Sequence, residues 1–107
     1  MAKQILYRGQ PGTGTTSGSG AISKVATIDA ASVCNTTASP VTLDVYLVPS
    51  GSSAGPSNKV YSGLSIPAND QLALGLLVNQ ALNANDVIRF TASTPSALTV
   101  IVSGRTT

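Results

Sequence analysis

The sequence predicts an all-β protein folded as an antiparallel β-sandwich of seven or eight strands, and three observations support that prediction. Residues 41–48 alternate apolar and polar side chains without a break, as a strand with one buried face does. Polar segments rich in Gly, Pro, Ser and Asn interrupt the chain at short intervals, which is typical of turns between strands. From residue 22 onward, no window keeps the apolar period of a helix over ten or more residues.

The chain is expected to divide into an N-terminal arm with its linker, residues 1–20, and a sandwich domain, residues 21–107. The arm contains Ile5, Leu6 and Tyr7, which form either a brief strand or an extended arm laid on another surface. The linker consists of Gly, Ser, Thr, Gln and Pro, a composition typical of a flexible segment or a plain surface loop. No Lys-Ser or Lys-Thr pair follows its glycines, so it does not match a phosphate-binding loop.

The first long strand is predicted over residues 22–35. Ala26, Ile28 and Ala30 are expected on one face of this strand, because alternate side chains of a strand share a face. The alternation is lost at residues 30–32, and a bulge or a corner there would restore it before the strand continues.

Turns and shorter strands follow along the rest of the chain. Residues 35–40 are predicted to form a turn, in which Asn35 tolerates unusual backbone angles and Pro40 ends the segment. The alternating strand at residues 41–48 leads into a polar loop at residues 49–58. The remaining strands are predicted at residues 59–62, 63–67, 71–78, 87–92 and 97–103, with a short helical turn over residues 77–82 as the main ambiguity.

The inward faces of these strands define a predicted core. Its members are Ile28, Val33, Leu43, Val45, Leu47, Leu64, Ile66, Leu72, Leu74, Ile88, Phe90, Leu98, Val100 and Val102. On the outward faces, Tyr46, Tyr61 and Ile101 are candidates for contact with another subunit. Tyrosine favours interfaces because its ring offers a large apolar area with a polar end.

The composition predicts a protein that assembles with others. Only 9% of the residues are charged while 42% are hydrophobic, so little charge repulsion opposes packing against a neighbour. The six cationic residues are scattered along the chain, whereas a nucleic-acid site gathers them on one surface. No segment has the roughly 20 apolar residues of a membrane span or the apolar core of a signal peptide. We therefore expect neither a nucleic-acid nor a membrane partner, and a chain that stays in the cytoplasm until it assembles.

Residues suited to catalysis or metal binding are few. Histidine is absent, and the single cysteine, Cys34, is expected to be a small buried residue of a strand. The four acidic residues are expected to have structural or solvated roles, with Asp29 and Asp44 on polar strand faces and Asp70 and Asp86 in turns. We therefore expect no enzymatic activity, no catalytic residues, no cofactor and no metal site.

Several turn and strand motifs together resemble those of small structural proteins of tailed bacteriophage particles. The pattern begins with residues 6–11 (LYRGQP) and includes residues 33–37 (VCNTT), 41–51 and 63–68 (GLSIPA). Proteins with such a pattern include head decoration, or cement, proteins, which are β-sandwich or jelly-roll trimers seated where capsid subunits meet. They also include neck and tail components. The motifs cover most of the chain, and they describe turns and strands instead of catalytic groups.

The resemblance implies a jelly-roll-like sandwich and a capsid decoration protein on the virion surface. The partners it implies are other copies of the chain in a homotrimer and the major capsid protein. The residues expected at contacts with partners are Ile5, Leu6, Tyr7, Arg8, Tyr46 and Tyr61. A neck, tail or fibre-base component is the alternative within the same particle. A carbohydrate-binding adhesin module is the alternative from another class, and it would depend on loops near the two outward tyrosines because tryptophan is absent.

Overall fold

The computed structural model describes residues 3–13, 17–18 and 24–106, and these residues form two antiparallel sheets. The strands are β1 (Lys3–Gly9), β2 (Ser17–Gly18), β3 (Ala26–Asn35), β4 (Val41–Val48), β5 (Lys59–Ile66), β6 (Gln71–Ala73), β7 (Ala81–Leu82), β8 (Val87–Ala92) and β9 (Leu98–Thr106). Two single 3₁₀ turns, Pro56–Asn58 and Gly75–Leu77, complete the elements. The prediction of an all-β, antiparallel protein is therefore confirmed. Within the described ranges, no helix is long and apolar enough to cross a membrane.

The strands are distributed over two sheets that the chain enters alternately. Sheet A has the order β1-β9-β3-β6, and β7 pairs with a further part of β3. Sheet B has the order β2-β8-β4-β5. The chain crosses from one sheet to the other between β3 and β4, between β5 and β6, and on both sides of β8. The β4–β5 hairpin, in contrast, stays within sheet B.

The core lies between the two sheets. Sheet A contributes Ile28 and Val100, sheet B contributes Leu43 and Phe90, and all four side chains are fully buried in one cluster. Of the predicted core residues, only three are half-buried at the margin of this cluster, namely Leu47, Leu64 and Leu72. The remaining predicted members are buried.

An extra residue in β3 makes its alternation differ from the predicted one. Ile28 pairs with Gly104 of β9 and Ala30 pairs with Ser103. Asp29 is therefore an extra residue without a pairing position on β9, and it forms a β-bulge. The bulge moves the next side chains to the other face: Ala30 is exposed, and Ala31 is buried in its place. The expectation that Ala30 faces inward was wrong, because the bulge lies just before the segment where it was predicted.

The glycine opposite this bulge has no room for a side chain. A Cβ atom added to Gly104 would overlap the carbonyl oxygen of Thr27 on β3 and would lie 2.9 Å from Cδ1 of Leu6 on β1. Glycine is therefore required there by the close approach of a neighbouring backbone.

The segment after β6 also differs from the prediction. The strand predicted over residues 71–78 ends at Ala73, and the 3₁₀ turn Gly75–Leu77 follows it. The backbone N–H of Leu74 donates to the carbonyl of Ala31, and Leu74 and Leu77 are buried against the core. The two strands predicted at residues 59–62 and 63–67 are a single strand, β5.

Candidate binding face

The outward face of sheet B is covered by the chain itself around Tyr46 and Val48. Tyr46 and Val48 alternate with the core residues of β4 and so point away from the core, yet they are only 6% and 3% exposed. The turn Pro56–Asn58 lies against β4, and the ammonium of Lys59 is 5.4 Å from the centroid of the Tyr46 ring. Tyr46 was expected on an outward face available to a partner; instead, its own chain covers it.

The outward face of sheet A, in contrast, carries no covering segment among the described residues. We call this surface the open face. It comprises Ile5 and Arg8 of β1, Thr99, Ile101, Ser103 and Arg105 of β9, Asp29, Ala30, Ser32 and Cys34 of β3, and Gln71 and Ala73 of β6. Arg8 is charged, Arg105 is paired with Asp29, and the other side chains are uncharged and mostly small.

Two isoleucines form the apolar part of the open face. Ile101 is 39% exposed although its neighbours Val100 and Val102 are fully buried, and Ile5 is 51% exposed. Ile5 pairs with Ser103 across the β1–β9 ladder, two residues from Ile101, so the two isoleucines are diagonal neighbours on one face. Together they form a small apolar patch on the open face.

Arg8 is the cation beside these isoleucines. It lies directly opposite Ile101 in the β1–β9 ladder and is exposed. Across the sheet, Ile101 pairs with Ser32, and Ser32 pairs with Ala73 at the far edge. One row of the open face therefore runs from a cation through an apolar residue to two small residues.

Each of the four aspartates accepts at least one hydrogen bond within the chain, and Asp29 and Asp44 also pair with a cation. Asp29 accepts two hydrogen bonds from the guanidinium of Arg105, at 3.0 and 3.1 Å. Asp44 accepts a hydrogen bond from the backbone N–H of Gly63 at 2.6 Å and lies 3.8 Å from the Lys59 ammonium. The other two accept hydrogen bonds only from backbone N–H groups: Asp70 from Gln71, and Asp86 from Ser50 and Asn83.

The residues predicted at the N-terminal contact divide between two environments. Ile5 and Arg8 lie on the open face, whereas Leu6 and Tyr7 pack against the core. The Tyr7 ring stacks on Phe90, with 4.7 Å between the ring centroids and 29° between the planes. Burial raises the pKa of the Tyr7 phenol above its ordinary value. A register shift between Ile5 and Tyr7 causes this division, because it places Leu6 out of the regular alternation.

Tyr46 and Tyr61 do not form an exposed aromatic platform, and the prediction that Tyr61 faces outward was wrong, because it pairs with the buried Val45. Tyr46 is covered, and Tyr61 is half-buried against the core, where its hydroxyl accepts a hydrogen bond from the backbone N–H of Leu76 at 2.9 Å. A carbohydrate site usually stacks a sugar on an exposed ring. The geometry at these two residues therefore offers no support for the carbohydrate-binding alternative.

The cysteine and the other candidate ligands have no clustered arrangement. Cys34 was expected to be buried, but it is partly exposed, because its side chain is on the outward face of β3 between the buried Val33 and Asn35. Over the described part of the chain, no three His, Cys, Asp or Glu residues come together as a metal site would require, and no pocket is present.

Sequence reasoning missed two features of the outward faces of the sheets. The small residues Ser32 and Ala73, which make the face flat, were not singled out, although the alternation of β3 could have identified the first of them. The covering of Tyr46 by the turn within residues 49–58 has no sequence signal, because it depends on where a polar loop folds. Comparison of the chain with protein-family models, with curated proteins and with solved structures found no match.

Proposed function

We propose that the chain is a non-enzymatic structural protein of a virus particle. More specifically, we propose a head decoration protein that binds between major capsid subunits and stabilises the shell. The resemblance of the turn and strand motifs supports the virion class. The observation that carries the binding role is the open face, which presents the exposed Ile5 and Ile101 beside Arg8 and several small uncharged residues.

The size of the open face fits weak contacts that are repeated many times. Four strands about 4.8 Å apart span roughly 14 Å, and six residues along β9 span about 20 Å, so the face measures on the order of 300 Å². A stable binary interface buries about 800 Å² on each partner. One copy would therefore bind weakly through this face alone, and many copies on one shell, or a few copies joined in an oligomer, would stabilise it through multivalency.

The proposal also covers the oligomeric state, the contact residues and the type of sandwich. The proposed oligomer is a homotrimer, located on the capsid surface of the virion. The N-terminal contact that we propose uses Ile5 and Arg8, the two arm residues on the open face. A jelly-roll-like description is supported by the nested pairing of β3 with β9 and of β4 with β8. The β4–β5 hairpin, which stays within one sheet, departs from that description.

The number of copies in purified particles tests the proposal. Quantitative mass spectrometry of intact virions, with the major capsid protein as the internal standard, gives this number directly. A decoration protein is expected on the order of hundreds of copies per particle, because it follows the symmetry of the shell. A dozen copies or fewer would refute the decoration role and favour a neck, tail or fibre-base role. Absence of the chain from particles purified free of host protein would refute both.

A further inference from the structure

We infer that copies of this chain associate head to tail through the two edges of sheet A. The β1 edge of one copy would face the far edge, residues 70–79, of the next copy. The inference deepens the homo-oligomer of the proposed function and rests on that function for the number of copies, three. The two surfaces that meet are different, so the contact is heterologous and can close into a ring.

Exposed apolar side chains lie at both edges of sheet A. At one edge, Ile5 is exposed on β1, the outermost strand. At the other edge, residues 74–79 run beside residues 28–31 of β3 and donate backbone hydrogen bonds to them from both ends. Within this segment, Leu76 and Val78 are exposed. Each edge therefore presents apolar area that a neighbouring copy could cover.

These two apolar sites lie at the same level along the strands. Ile5 pairs with Ser103, and Ser103 pairs with Ala30. Ala30 belongs to the part of β3 that residues 74–79 border. In a closed ring whose axis runs along the strands, each row of one copy meets the same row of the next. Ile5 would therefore meet the exposed apolar side chains of the far edge.

The strand directions also suit a head-to-tail contact. β1 is antiparallel to β9, β9 to β3 and β3 to β6, so β1 and β6 run in opposite directions at the two edges. A ring about an axis along the strands preserves these directions, and β1 would then lie antiparallel beside β6 of the next copy. Among the described residues, no strand pairs with the outer side of β1. Backbone groups on that side are therefore available to a neighbouring strand.

The two edges also differ in charge. Arg8 is an exposed cation of the β1 edge, and Asp70 is the acidic residue of the far edge. Asp70 accepts a hydrogen bond from the backbone N–H of Gln71 and keeps its charge for a cation of another copy. The row of Arg8 ends at Ala73, three residues from Asp70, which is about 10 Å along a strand. This distance is about one Debye length at roughly 0.1 M salt, so the two charges attract across the contact.

The same charges act against a contact between two identical edges. Two β1 edges would put two Arg8 guanidinium groups in one contact, and two far edges would put two Asp70 carboxylates in one contact. Like charges across an interface are unfavourable. Of these three arrangements, the head-to-tail contact alone brings the cation of one edge near the carboxylate of the other.

The contact is small, so closure of the ring is important. β1 has seven residues, and with sheets about 10 Å apart its side of the sandwich measures about 24 Å by 10 Å, on the order of 240 Å². A stable pair buries about 800 Å² on each partner. A ring has one more contact than an open chain of the same number of copies. We therefore expect closed rings and few stable dimers.

The test is sedimentation equilibrium of the full-length chain over protein concentrations up to its solubility limit. Ile5→Asp disables the β1 edge, Leu76→Asp disables the far edge, and each should raise the concentration needed for association by about tenfold or more. Val25→Asp is the matched control, since Val25 is an exposed apolar residue just before β3, a strand with neighbours on both sides. It should change association by less than about twofold. All three positions are exposed, so the thermal unfolding midpoints should stay close to that of the wild type.

Mixing the two edge variants distinguishes a head-to-tail contact from a contact between identical edges. An Ile5→Asp copy keeps its far edge, and a Leu76→Asp copy keeps its β1 edge. The mixture should associate at a lower concentration than either variant alone and stop at two chain masses, because both outer edges of the pair are disabled. Leu76→Asp that self-associates like the wild type would show that β1 edges pair with each other, and it would overturn the inference.

Charge reversal tests the attraction between Arg8 and Asp70. Arg8→Asp and Asp70→Arg should each weaken self-association by about threefold, because the charges are near the surface. The double variant Arg8→Asp/Asp70→Arg should restore it, since the two edges are again opposite in charge. A double variant that associates no better than the single variants would overturn the assignment of these two edges to one contact.

The outcomes separate this inference from the proposed function. A wild-type chain that stays monomeric at every concentration, or that associates equally well with either edge disabled, overturns the inference. The decoration role would still be decided by the number of copies in particles. A chain that is absent from particles refutes the decoration role and leaves the ring in solution as measured. Loss in each edge variant together with association of their mixture supports the inference.

Discussion

The side chain of Asn35 connects the end of β3 to sheet B, and removing it should cost about 3 kcal/mol of folding free energy. Asn35 is 1% exposed, and all four of its hydrogen-bonding positions are used. Its Nδ2 donates to the carbonyls of Ser39 at 2.8 Å and Ile66 at 3.0 Å. Its Oδ1 accepts from the backbone N–H of Thr37 at 2.9 Å and from the Thr37 hydroxyl at 2.8 Å. One side chain thus holds the turn after β3 and joins it to the end of β5.

The expected magnitude follows from the burial of these four bonds. In Asn35→Ala the buried carbonyl of Ile66 loses its side-chain donor, which costs about 1 to 3 kcal/mol because water cannot easily replace that donor. The three partly buried bonds contribute about 0.5 kcal/mol each, since their partners regain water. At about 2.1 cal/mol/K of unfolding entropy per residue, a chain of 107 residues should lose roughly 13 °C in Tm for a cost of 3 kcal/mol.

Urea unfolding followed by circular dichroism, together with calorimetry, measures both quantities. Asn58→Ala is the matched control, because Asn58 also makes two hydrogen bonds to the backbone, with Gly55 at 3.1 Å and Ser53 at 3.0 Å. Asn58 belongs to the polar loop and is only partly buried, so its loss should cost about 0.5 kcal/mol. The m-value should be unchanged in both variants. Equal destabilisation of the two variants, or a cost below about 1 kcal/mol for Asn35→Ala, would refute the reasoning.

Three further predictions concern other contacts of sheet A. Gly104→Ala should lower the unfolding free energy by at least about 2 kcal/mol, because the added Cβ overlaps the β3 backbone. Gly75→Ala is the control and should change the unfolding free energy little, because nothing lies within 4 Å of its added Cβ. Burial raises the pKa of Tyr7, so its stabilising contribution is complete below the unfolded pKa of about 10 and is lost as the pH rises through the higher folded pKa. Denaturant titrations at stepped pH should therefore show a steeper alkaline loss of stability in the wild type than in Tyr7→Phe. A double-mutant cycle on Asp29 and Arg105 should give a coupling below about 1 kcal/mol that shrinks in salt, since the Arg105 side chain is 50% exposed; a larger, salt-independent coupling would contradict this.

The sequence was sufficient to predict which side of β4 faces the core. Leu43 and Val45 were predicted to be buried and are fully buried, and Leu47 on the same face is half-buried, because alternation is a local property of an extended chain. Alternation also predicted that the Tyr46 side chain points away from the core, and it does. It could not predict that Tyr46 is covered, because the covering turn Pro56–Asn58 reaches it through the path of a loop.

Bulges account for the other errors in side-chain direction. One extra residue at Asp29 exchanged the environments of Ala30 and Ala31, and the shift at Leu6 separated Ile5 and Arg8 from the inward Tyr7. A one-residue change in register reverses every later side chain in a strand. The bulged position depends on pairing with β9, which lies about 70 residues away from β3 in sequence and cannot be located from local pattern alone. The sequence therefore predicted which segment contains the candidate contact residues, but not which of them share one face of the sheet.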